Sequence, residues 1–102
     1  MERDRAIAIL RAHEAELRAA GIERLAIFGS VARGEAGPGS DVDVLVRLNP
    51  GARGSGFAYF GRLADLTQRL EQILCCSVDV LVEPVRKQPL REAAEREAAV
   101  AF

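Results

Sequence analysis

Two short apolar segments hinged on a Gly-Ser pair constrain this fold more than anything else in the chain. Arg24 to Phe28 is long enough for one buried strand and runs directly into Gly29-Ser30. Ten residues later Asp41 opens a second segment, Asp41 to Leu48, in which Val42, Val44 and Val46 alternate with Asp41, Asp43, Leu45 and Arg47. Alternation with period two means a strand with one apolar face, and it sends Asp41 and Asp43 to the same side, about 7 Å apart. Between the segments, Val31 to Glu35 suits one or two helical turns, and Gly37-Pro38-Gly39-Ser40 must be a turn. That reversal predicts antiparallel pairing of the two strands.

The rest of the chain supplies what such a sheet packs against. Residues 3 to 20 carry Ile7, Leu10, Glu14 and Leu17 at helical spacing, with Gly21 as C-cap. Asn49 to Gly56, rich in Gly, predicts a mobile connector, and it lacks the Lys-Ser/Thr of a P-loop. Phe57 to Leu74 predicts a long amphipathic helix through Phe60, Leu63, Leu66 or Thr67, Leu70 and Ile73 or Leu74. Ser77 to Val82 repeats the strand pattern, with Val78, Val80 and Val82 on one face and Asp79 and Leu81 on the other, before Glu83-Pro84 ends it. A last helix is expected from Leu90 to about Val100, with Pro89 as its first residue. His13 is expected to be solvated, and Tyr59 and Phe60 to be core or interface residues. The order predicts an α/β (α+β) domain with a small mixed sheet of about three strands flanked by helices.

Composition narrows the class. A chain of 102 residues supports one domain with a modest core, so residues 1–102 are expected to form a single unit. With 14 basic and 15 acidic residues, the net charge of -1 provides no general field toward nucleic acid or an anionic membrane. Direct nucleic-acid binding is therefore not expected. Cys75 and Cys76 are adjacent, which is poor geometry for a crosslink and too few ligands for zinc. A reducing cytoplasm suits them. The charged start has no apolar h-region, and no apolar run approaches the ~20 residues of a membrane span, so an unexported protein is expected.

Acids inside strands call for a chemical reason, because a charge beside a packed element must be desolvated. If Asp79 lies beside Asp41 and Asp43, like charges raise one another's pKa until a cation neutralises them. A hard divalent ion fits, since Mg2+ takes a few carboxylate oxygens together with substrate phosphates. Two such ions can activate an attacking hydroxyl and stabilise a leaving pyrophosphate. Gly29 lets backbone pass close to phosphate, the amides that follow can face an anion, and Ser30 adds a hydroxyl donor. Together these residues have the makings of a nucleotidyl-transfer site.

Gly-Ser-Val-Ala-Arg-Gly-Glu at residues 29 to 35, Ser40-Asp41-Val42-Asp43, and Val78-Asp79-Val80-Leu81-Val82 carry a family resemblance. In these motifs the chain resembles the minimal nucleotidyltransferases of the DNA polymerase beta superfamily, and among them the small antitoxin subunit of HEPN/MNT toxin-antitoxin modules. The resemblance spans nearly the whole chain. It implies the nucleotidyltransferase fold and transfer of AMP from ATP to a tyrosine hydroxyl of a partner HEPN ribonuclease toxin, silencing it within a hetero-oligomer. It implies metal binding by Asp41, Asp43 and Asp79, with Asp79 also helping to deprotonate the hydroxyl, and triphosphate binding by Gly29 and Ser30. For Arg33 two roles stand open, phosphate contact or a surface ion pair. Two alternatives compete with this activity: neutralisation by contact alone, and nucleotidyl transfer to a small molecule, whose enzymes carry an extra helical domain absent from this sequence.

Overall fold

Alternation along the strands decides which face of the sheet becomes core. A computed structural model describes residues 2–35, 41–49, 56–83 and 88–102. In chain order its elements are α1 (Arg3–Ala12), α2 (Glu14–Ala19), β1 (Ile22–Phe28), α3 (Gly29–Ala32), β2 (Val42–Leu48), α4 (Gly56–Leu74), β3 (Val78–Val82), α5 (Gln88–Glu97) and β4 (Ala99–Val100). The turn expected at Gly37–Ser40, most of the connector expected at Asn49–Gly56, and the side chains of Tyr59 and Phe60 lie outside the described residues.

The strands lie in the order β3-β2-β1-β4. β1 and β2 are antiparallel, with Ile27 opposite Val44 and Phe28 opposite Asp43, as the Gly-Pro-Gly reversal predicts. β3 runs parallel to β2, Val42 beside Val78 and Asp43 beside Asp79, so the sheet is mixed. Val42, Val44, Val46 and Val78 turn one face into the core with Leu66, Leu70 and Leu74 of α4 and Ala6, Leu10 and Leu17 of α1 and α2. Ala26, Phe28 and Leu45 form a smaller cluster, against which Leu81 and Ala98 pack.

Two expectations need correction. The first helix is two, broken at His13. Ile9's carbonyl would ordinarily accept from the His13 backbone N–H, but it bonds His13 Nδ1 at 2.9 Å, while the His13 N–H goes to Leu10 O at 3.1 Å. A carbonyl only accepts, so the ring nitrogen is the donor; this side chain competes with the helix ladder and is half-buried rather than solvated. The last helix also stops early, at Glu97. Ala99 and Val100 instead pair with Ile27 and Ala26 of β1, giving the sheet a fourth strand where about three were expected. Without them the outer edge of β1 would leave its backbone groups without a partner in the sheet. Ala101 N donates to Leu25 O at 2.8 Å, Arg11 Nε donates to Ala101 O at 2.7 Å, and Ala101 is buried.

Candidate active site

The sheet brings the strand-borne acids to one end. Asp43 and Asp79 are register partners on adjacent parallel strands, which places them side by side at a strand spacing of about 4.8 Å. Val42 N donates to Ser77 O at 3.0 Å, tying the two strand starts together, and Val78 N donates to a carboxylate oxygen of Glu71 in α4 at 3.3 Å. Asp41 lies one residue ahead of β2 and is exposed, while Asp43 is half-buried and Asp79 exposed.

Charge crowding is legible in Asp43. Burial pushes its carboxyl above the usual range, the neighbouring charges of Asp79 and Asp41 push it further, and a hydrogen bond with Asp79 adds to this; only the charge of Arg33 opposes. Asp79 and Asp41 therefore both act electrostatically on Asp43. Among the described residues no three Asp, Glu, His or Cys side chains converge as a ready-made metal cage. The donor chemistry nonetheless fits Mg2+, which needs only one or two carboxylates when phosphate and water oxygens complete its shell.

Gly29 closes the other side. Its φ of +72° lies in the left-handed region, and a β-carbon built on it would collide with the Asp43 carboxylate, so any larger residue is strained and must displace that side chain. The bare backbone of Gly29 is thus pressed against the Asp43 carboxylate. Gly29 O accepts from Arg33 N at 3.1 Å and Ser30 O accepts from Glu35 N at 2.9 Å, which folds residues 29 to 35 into one tight unit. The helix expected from Val31 already begins at Gly29. Ser30 is half-buried beside the acids' end of the sheet.

Arg33, left between two roles by its sequence, is held in an ion pair in this structure. Its Nε donates to Glu35 at 3.0 Å and its Nη1 to Glu97, at the end of α5, at 2.9 Å. Sequence reading passed over Glu97 because its partner is 64 residues away and no local pattern links them. Cys75 and Cys76 are both free, at the turn between α4 and β3. No helix among the described residues is long and apolar enough to cross a membrane.

Known proteins share this fold. The family model for the nucleotidyltransferase domain matches residues 10–100. Protein adenylyltransferase MntA of Thermococcus cleftensis is 33% identical over 90 residues, covering 87% of this chain and 85% of that protein. A solved minimal nucleotidyltransferase superposes with a TM-score of 0.75 at 34% identity, over 97% of this chain and 95% of the other. The fold also recurs, with a TM-score of 0.62 at 16% identity and over 94% of this chain and 71% of the other, in a complex of a tri-AMPylated Shewanella oneidensis HEPN toxin with its MNT antitoxin. The resemblance carried by the Gly-Ser and Asp-x-Asp motifs is borne out: this chain belongs to the nucleotidyltransferase domain family, among its minimal members, and is an enzyme of that family.

Proposed function

We propose that the chain acts as one minimal nucleotidyltransferase domain and is an antitoxin that transfers AMP from ATP to a tyrosine hydroxyl of a partner HEPN toxin. The observation that carries the reading is the register pairing of Asp43 with Asp79 against the bare backbone of Gly29. The names of its relatives agree: an adenylyltransferase matched over most of its length, and a fold shared with antitoxins in complex with a HEPN toxin.

In this reading Asp41, Asp43 and Asp79 would hold Mg2+, two ions being proposed, and the metal would supply charge neutralisation and activation of the attacking oxygen. The backbone amides at Gly29 and Ser30, with the Ser30 hydroxyl, bind the β- and γ-phosphates. Arg33 adds positive charge beside them. Asp79, the more exposed of the paired acids, takes the proton from the tyrosine hydroxyl as its oxygen attacks the α-phosphorus. The bond to the β-phosphate oxygen breaks, pyrophosphate leaves, and an O-AMP tyrosine remains, so atoms and charge balance.

The test is the intact mass of a HEPN-type partner after incubation with this chain, ATP and Mg2+, beside an Asp43→Asn variant. A gain of one or more AMP units, reduced at least about a hundredfold in rate by Asp43→Asn, is the expected result. Tight binding with an unchanged mass would replace the transferase by an antitoxin that works through contact.

A further inference from the structure

The Arg33 ion pairs connect two parts of the molecule that sequence keeps far apart. Arg33 leaves the end of α3, immediately after the Gly-Ser unit, and Glu97 is the last residue of α5, just before the chain enters β4. Their contact is 2.9 Å, and the Glu97 side chain is only 23% exposed where Glu35, the other partner, is 65% exposed. Glu97 is also anchored from behind, because Ala98 packs on the Ala26, Phe28 and Leu45 cluster and Ala99 pairs with Ile27. Glu35 is tied through its backbone N–H to Ser30 O, but its side chain follows a glycine at φ +73° and faces solvent.

A guanidinium carries five N–H donors in one plane. Nε is engaged by Glu35 and Nη1 by Glu97, which fixes the plane and uses two of the five donors. Arg33 belongs to the same turn as Gly29, its N–H bonding Gly29 O at 3.1 Å, and Gly29 packs against the Asp43 carboxylate, so the arginine leaves the turn that faces the acids. A cation held this near the acid pair, with donors to spare, suits a polyphosphate arriving at Gly29 and Ser30.

We infer that Glu97 is a positioning residue: it holds Arg33 over the nucleotide's phosphates, Glu35 being the partner that the phosphates displace. This rests on the proposed ATP-dependent activity. It also gives β4 a purpose beyond closing the sheet, since the strand fixes the carboxylate that orients the arginine.

The experiment is a double-mutant cycle on the full chain with ATP and Mg2+, reading KM for ATP and kcat separately. Glu97→Ala is expected to raise KM roughly threefold to fivefold with kcat within twofold, the size of an ion pair exposed to solvent. Glu97→Gln, which keeps an acceptor, recovers part of that loss, and Glu35→Ala leaves KM near wild type. In an Arg33→Ala background Glu97→Ala adds nothing further. Melting temperatures of each variant are recorded alongside, and Glu97→Gln serves as the informative variant if Glu97→Ala fails to fold. An unchanged KM in Glu97→Ala and Glu97→Gln, or an equal effect of Glu97→Ala without Arg33, overturns the inference while leaving the transferase standing. A wild type that neither binds nor consumes ATP overturns both.

Discussion

The two faces of β2 differ by a single step along the chain and do opposite work. Val44 is fully buried among α1, α2 and α4, while its neighbour Asp43 points to the other face, half-buried and crowded by acids. One face supplies hydrophobic stabilisation and so lets the other tolerate charge repulsion that serves no structural end. Because side chains alternate with period two, the same residues that place the core also aim the site.

Exchanging the chemistry of the faces is the hardest test of that contrast. Val44→Asp puts a carboxylate where no described polar side chain is buried, and is expected to cost more than about 4 kcal/mol, enough to unfold a domain of this size. Circular dichroism and a urea titration would show a chain unfolded in buffer. A cooperative melt within a few degrees of wild type would mean that the Val face is not the core.

Glycine provides a finer comparison, because Gly29, which opens α3, and Gly34, just beyond it, have nearly the same φ. Gly29 has φ +72° and Gly34 φ +73°, but a β-carbon at Gly34 meets nothing within 4 Å, whereas at Gly29 it meets the Asp43 carboxylate. Gly34→Ala should cost only the left-handed strain, about 1 kcal/mol, with transfer activity retained. Gly29→Ala adds a collision, so about 2–3 kcal/mol and a large loss of transfer are expected. Equal costs in urea unfolding would show that the close approach to Asp43 contributes nothing.

Residues whose role is set by local pattern were readable without coordinates. Val42, Val44 and Val46 announce the strand and its faces, and Gly-Pro-Gly announces the antiparallel return, so β2 and β3 with their acids follow from periodicity and β1 from its short apolar run. What failed to show is what depends on partners far along the chain. Ala99-Val100 has too little β-branching to outweigh an Ala-rich helical context, and it becomes a strand because the edge of β1 lies within reach. Glu97 likewise reads as one more helix charge until the sheet carries it to Arg33. His13 interrupts its helix through a side-chain bond to Ile9 that propensity does not anticipate.

The smallest expected effect sharpens the comparison from the side of the acids. In the free protein the Asp43 carboxyl sits above its ordinary range, through burial first and then through Asp79 and Asp41. A group that binds its proton more tightly when folded stabilises the fold while protonated and loses that contribution on ionising. Stability should therefore fall as pH rises from the ordinary carboxylate range to the raised folded value, and stay flat above it. Asp43→Asn removes the titration and keeps the shape, so without divalent metal the variant should melt higher than wild type at neutral pH. Solvent screening at a site this open limits the gain to about 2 °C, and the gap should close below the ordinary carboxylate range. Melting curves from pH 3 to 8 in a chelator would test this, and a variant that melts lower at neutral pH would make Asp43 a structural residue. Higher stability together with lost transfer would instead mark the acid face as a region where the fold gives up stability to hold a site, next to a valine face where it gives up none.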